Sequence, residues 1–104
     1  MLDIKTWLET TEMKVAEERF LKPPLLPYIV FLQDIKIRGA DYKNCISEST
    51  ISIEMYSERI DTDSEGKIET LLNEKSIHYS KNRTWVESEK FFQTVYDFNL
   101  IEKF

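Results

Sequence analysis

Cysteine, histidine and glycine are all scarce in this chain, and each shortage closes off a class of chemistry. A single cysteine, Cys45, makes no intrachain disulfide and builds no thiolate metal cluster. No basic cluster surrounds it in sequence to lower its pKa, so the thiol reads as inert. His78 is the sole histidine and has no second histidine or cysteine nearby, which favours a structural or surface role over catalysis or metal binding. Two glycines, Gly39 and Gly66, are too few for a phosphate-cradling loop or a dinucleotide fingerprint. No zinc spacing or Ser/His/Asp arrangement is present either. No apolar run approaches the roughly 20 residues of a membrane span. The opening Met1-Leu2-Asp3-Ile4-Lys5 lacks the basic region and long apolar stretch of a signal peptide. A soluble, intracellular, non-enzymatic chain without cofactor or metal is the expectation.

Excess positive charge is also missing. Fourteen Lys and Arg stand against nineteen Asp and Glu, a formal net charge of −5. The basic residues are scattered singly, as at Lys14, Lys22, Lys36, Lys43 and Lys67. A protein built to grip phosphates clusters them, so specific nucleic-acid binding is not expected. What the chain does have is apolar content: 41% hydrophobic and 12% aromatic residues over 104 positions, enough for one domain with a single core.

All three prolines fall within Pro23-Pro24-Leu25-Leu26-Pro27, directly before Tyr28-Ile29-Val30-Phe31-Leu32. Each proline fixes φ near −65° and removes a backbone donor, so the stretch is neither helix interior nor central strand. It stiffens the approach to a strand over residues 28–37 that is apolar on both faces through Phe31 and is therefore covered on both sides. Arg38-Gly39-Ala40-Asp41 supplies a turn, with Gly39 able to take positive φ. The next strand, residues 45–56, sends Ile51, Ile53 and Met55 one way and Thr50, Ser52 and Glu54 the other. Together they make a long antiparallel hairpin, and residues 42–49 look too polar to be core.

Helical spacing of Ile4, Trp7 and Leu8 behind an Asp3 cap predicts a helix over residues 2–10. Residues 13–20 read as a strand. Thr62 and Glu65 have capping-box spacing ahead of the stripe Ile68, Leu71, Leu72, predicting a helix over residues 63–74. A short strand at Ile77-His78-Tyr79, a turn at Ser80-Lys81-Asn82-Arg83 and a return at Thr84-Trp85-Val86 follow. The last strand, residues 91–100, places Phe92, Thr94, Tyr96, Phe98 and Leu100 on one face and Phe91 and Val95 on the other, with Ile101 beyond. The fold class is α+β: a mainly antiparallel sheet with a long hairpin, an N-terminal helix and a second helix between strands. Two short helices do not cover both faces of such a sheet, and oligomerisation is the economical way to cover the second.

Two constellations imitate chemistry. Asp61, Asp63, Glu65, Gly66 and Ile68 fit the start of an EF-hand loop, but its twelfth position is Leu72, which cannot coordinate calcium. The acidic residues suit a helix N-terminus instead. Phe91, Phe92, Tyr96 and Phe98 could form a stacking platform for bases, although the acidic balance favours core or subunit contact. Close carboxylates such as Glu87 and Glu89, or Glu17 and Glu18, arise readily by chance in so acidic a chain.

The order and spacing of several stretches resemble the small tail-terminator, or tail-completion, proteins of long-tailed phages and prophages in low-GC Gram-positive bacteria. They are the proline-led strand to Phe31, Gly39-Ala40-Asp41, Ile51-Ser52-Ile53-Glu54-Met55-Tyr56, Ile68-Glu69 with Leu71-Leu72, Trp85-Val86-Glu87-Ser88-Glu89-Lys90 and Val95-Tyr96-Asp97-Phe98. The resemblance implies a hexameric ring that caps the tail tube, ends its polymerisation and joins tail to head. It implies a homo-oligomer, with the tail tube protein and a head completion or connector protein as partners. DNA would pass through the lumen without specific binding, no membrane is involved, and the host cytoplasm and then the virion are the locations. Candidate assembly-interface residues are Pro23, Pro24, Pro27, Arg38, Asp41, Tyr42, Lys43, Asn44, Phe91 and Val95. The alternative is a small-ligand-binding regulatory domain with a pocket lined by Tyr28, Trp85 and Tyr96.

Overall fold

A computed structural model describes residues 2–38 and 46–103. The elements run α1 (Ile4–Glu9), β1 (Lys14–Glu17), β2 (Tyr28–Arg38), β3 (Ile46–Ser57), α2 (Thr62–Glu74), β4 (Ser80–Val86) and β5 (Phe91–Lys103). The five strands form one sheet in the order β1-β2-β3-β5-β4. Only β1 and β2 are parallel; the other three pairings are antiparallel, giving the expected α+β fold.

Two crossovers decide what lies on each face. From β1 to β2 and from β3 to β4 the chain moves the same way across the sheet, but the two starting strands point in opposite directions. Crossovers of one hand must then lie on opposite faces. They do: α2 packs on one face, and residues 18–27 cross the other. We call these the helix face and the open face.

Period-two alternation in β3 puts Ile51, Ile53 and Met55 on the helix face, fully buried. They pack with Ile29, Phe31, Tyr96 and Phe98 from neighbouring strands, Ile4 and Leu8 from α1, and Ile68 and Leu72 from α2. The Asp3 carboxylate caps α1 by accepting from the Thr6 N–H at 3.2 Å. Hydroxyls of Thr10 and Thr11 close its last turn on the Trp7 and Leu8 carbonyls. β1 is shorter than the predicted strand because Glu18 turns to positive φ (66°), which ends the extended run. The Leu26–Pro27 peptide bond is cis.

Three expectations need correction. First, residues 42–49 are not all outside the core: Ser47 and Ser49 are 0% and 1% exposed. Each is a small side chain in a middle strand, shielded by larger neighbours in the ladder, Ile37 and Glu102 for Ser47, Ile35 and Leu100 for Ser49. Second, Asp61 rather than Thr62 caps α2, its carboxylate accepting from the Ser64 N–H at 3.0 Å and hydroxyl at 2.8 Å. Third, residues 80–83 do not turn. They belong to the single strand β4, and the reversal comes at residues 87–90, where Lys90 takes φ 58° and its N–H donates to the Val86 carbonyl at 2.8 Å. His78 lies before β4, exposed and outside any strand. Arg38 is the last residue of β2, and the rest of the turn expected there, with Gly39 and Asp41, lies outside the described residues, as do Tyr42, Lys43, Asn44 and Cys45.

The third correction has a physical cause in Glu65. This carboxylate is 2% exposed on the first turns of α2 and faces β4 and β5. Arg83 grips it through two nitrogens at 2.6 and 2.8 Å, Lys81 donates at 3.0 Å and the Thr94 hydroxyl at 3.1 Å. Lys81 and Arg83 reach one carboxylate because an extended strand puts residues two apart on the same face. Lys81 also bonds Glu69 at 2.7 Å, and Glu69 accepts from the Tyr96 hydroxyl at 2.8 Å. Burial pulls the Glu65 pKa up, but the bonds from Arg83, Lys81 and Thr94 outweigh it and hold the carboxyl at about 2, below the ordinary 4.5.

A depressed carboxyl pKa stabilises the fold above its unfolded value and loses that contribution as pH falls. Glu65 therefore contributes about 3 kcal/mol that is present above pH 4.5 and lost progressively toward about pH 2. Urea unfolding across this range should show the decline, and Glu65→Gln should flatten it; an unchanged acid limb in the variant would assign it to other groups. Gly66→Ala should raise stability by about 0.5–1 kcal/mol, the helix-propensity difference. The added methyl meets nothing within 4 Å, so a loss of stability in the same measurement would contradict this placement.

Candidate assembly surface

The open face carries its own row of rings. Phe20 from the crossover meets Tyr28 edge-on at 5.3 Å, Tyr28 meets Tyr56 at 5.2 Å, and Tyr56 meets Phe91 at 4.8 Å. Tyr28 and Tyr56 are direct ladder partners on β2 and β3. Tyr56 pairs with Gln93, so Phe91 reaches it diagonally, as large side chains do. The row thus spans three strands and is capped by the proline-led crossover.

Its polar rim is fixed as well. The Tyr56 hydroxyl donates to the Glu54 carboxylate at 2.8 Å and accepts from the Gln93 amide at 3.0 Å. Burial, reinforced by the bond to Glu54, pushes the Tyr56 pKa up to about 12. Burial also raises Tyr28, helped by the charge of Glu89. Between crossover and sheet runs a shallow groove of about 320 Å³, lined by Glu18, Arg19, Phe20, Pro23, Tyr28, Val30, Tyr56, Glu89 and Phe91. Leu21 and Leu25 stand out from the crossover at 93% and 92% exposure.

Of the candidate interface residues, Pro23 and Phe91 line this groove. Val95 lies on the same face, opposite Glu54 and Asn82. Pro24 and Pro27 are half-buried in the crossover. Arg38 is at the far end of β2, remote in the ladder from Tyr28, while Asp41, Tyr42, Lys43 and Asn44 are among the residues not described. The four aromatics read as one stacking platform are divided between faces: Phe91 joins the open row, whereas Phe92, Tyr96 and Phe98 face the helices. Tyr28, Trp85 and Tyr96 do not converge on a pocket. Tyr28 is on the open face, Trp85 meets Phe92 edge-on on the other, and Tyr96 is fully buried beneath α2. The sequence reading missed Phe20 and Tyr56. Tyr56 shares parity with Glu54 on the polar side of β3, and only the β2–β3 register brings it against Tyr28.

The EF-hand imitation is absorbed by α2, whose N-terminal acids cap the helix and bind Arg83. Among the described residues, no group of three His, Cys, Asp or Glu side chains is placed to hold a metal ion. No helix is long and apolar enough to cross a membrane among the residues described.

No protein-family model and no curated protein matches the chain. Among solved structures it is similar to a chain of the virion of a native gene transfer agent particle. The likeness covers 93% of this chain and 84% of that one, with a TM-score of 0.59 and 10% sequence identity. At that identity the likeness is one of fold.

Phe91→Ala, which removes the end of the ring row, should cost about 2 kcal/mol in urea unfolding. Leu25→Ser, at an exposed tip, should stay within about 0.5 kcal/mol. Equal effects at the two sites would deny the row a packing role.

Proposed function

We propose that this chain is a virion assembly protein of a phage-like particle, acting as a structural subunit and not as an enzyme. Its single domain, residues 1–104, forms a homo-oligomeric ring, a hexamer by family resemblance, that caps the tail tube, ends its polymerisation and joins tail to head. The observation that carries the reading is the shared fold, over nearly the whole chain, with a subunit of a gene transfer agent virion. The one-sided helix cover and the fully exposed leucines of the crossover support it, because apolar groups held in a stiff frame suit subunit contact.

In this reading Pro23, Pro24 and Pro27 hold the crossover as a projecting rib, and Phe91 and Val95 form the floor beside it. The hairpin tip, with Arg38, Asp41, Tyr42, Lys43 and Asn44, meets the tail tube or the head connector. The net charge of −5 keeps DNA in the lumen from adhering. The chain works in the host cytoplasm during assembly and ends at the tail–head junction.

Electron microscopy of purified protein mixed with tail tubes should show rings at tube ends, and deletion should give tails of uncontrolled length. Bare tube ends together with tails of normal length in the deletion would reject the proposal. Leu21→Ser/Leu25→Ser should leave the melting temperature unchanged while weakening tube-end binding about tenfold or more.

A further inference from the structure

The outer edge of β2 is open along most of its length. β1 ends at Glu17, opposite Phe31, and among the described residues no strand continues beside residues 32–38. Exposure is high there: 41% at Leu32, 42% at Ile35 and 65% at Ile37. The orientation of the edge follows from one bond, the Glu18 N–H donating to the Phe31 carbonyl at 2.8 Å. Phe31 therefore turns its backbone groups away from β3. Alternate residues of a strand do the same, so Gln33, Ile35 and Ile37 direct theirs outward while Asp34 and Lys36 bond to β3.

This edge is complementary to itself. An antiparallel second copy with Ile35 opposite Ile35 sets Gln33 opposite Ile37, so every outward backbone donor and acceptor at these three positions finds a partner. The same register sets Asp34 of each copy opposite Lys36 of the other, at the non-hydrogen-bonded sites where facing side chains come closest. Moving the register by two residues in either direction loses both of these charge matches and sets either Asp34 or Lys36 opposite its own copy. Proline, which blunts many exposed strand edges, is absent along residues 32–37, and the two charges there, Asp34 and Lys36, are of opposite sign.

We propose that free copies of the chain pair two-fold through the β2 edge, with Ile35 on the axis and reciprocal Asp34–Lys36 pairs on either side. The contact is isologous and closes on itself, so it protects the edge without building fibres. A ring of equivalent subunits needs head-to-tail contacts, so this pairing is independent of the tail-capping proposal.

Sedimentation velocity over a concentration series tests it. The wild type should dimerise, and Asp34→Lys or Lys36→Asp alone should weaken the dimer about tenfold or more, because two attractions become two repulsions. Mixing the two variants should restore a heterodimer, and D34K/K36D in one chain should restore the homodimer. Ile35→Pro should abolish pairing with near-ultraviolet circular dichroism unchanged, since the lost N–H faces outward. A monomeric wild type, a dimer that survives Ile35→Pro, or no rescue on mixing would each overturn the proposal. Tube-end binding is measured separately, so loss of either property leaves the other to be judged by its own result.

Discussion

The helices are much shorter than the strands they cover, and that mismatch governs the rest of the molecule. α1 has six residues and α2 thirteen, rising ~1.5 Å each, while β2, β3 and β5 have eleven to thirteen residues at ~3.3 Å. One helix layer can seal only part of one face. Core packing is therefore concentrated where Ile4, Leu8, Ile68 and Leu72 meet the sheet. Beyond it, β2, β3 and β5 run on as an arm with exposed Ile35, Ile37 and Ile101. Cover for the open face comes from an irregular crossover, which shields Tyr28 and Val30 and leaves Leu21 and Leu25 in solvent.

Within the sealed part, apolar contact is joined by one buried charge cluster. Glu65 would be costly in the core without partners, and Arg83, Lys81 and Thr94 supply them from two strands. The cluster specifies where β4 sits against α2, which apolar packing between smooth surfaces specifies less sharply. It also leaves β4, an edge strand of mostly exposed residues, attached through its charged side chains as well as its ladder to β5. The surfaces that the helices leave uncovered are then the open face, the crossover and the arm. All three lie away from the cluster, so contacts there need not disturb it.

Much of the fold was legible because burial repeats at a period the sequence displays. Ile51, Ile53 and Met55 announce β3, although only the strand order shows that it, and not β2, is central; Ile4, Trp7 and Leu8, with Asp3, announce α1; the prolines mark the approach to β2. Legibility fails where identity and environment disagree. Ser47 and Ser49 look like surface and are buried by bulkier ladder neighbours. Ser80-Lys81-Asn82-Arg83 looks like a turn and is a strand whose basic residues answer a carboxylate on another element. The candidate assembly surface was half legible: Pro23, Phe91 and Val95 lie on one face, but the ring row that organises it needed Phe20 and Tyr56.

By itself the sequence determined the α+β class, the apolar faces of α1, α2, β3 and β5, the scarcity of cysteine and histidine, and a stiff lead into β2. These follow from local rules, because side-chain periodicity and proline stereochemistry act within a few residues. The tertiary structure alone decided which faces meet, which crossover lies on which side, that Glu65 is an internal anchor and not a cap, and that no strand among the described residues continues along the β2 edge past Phe31. Those depend on register and strand direction between segments far apart in the chain. Local sequence records what each strand offers its neighbours; only the assembled sheet selects which neighbour it receives.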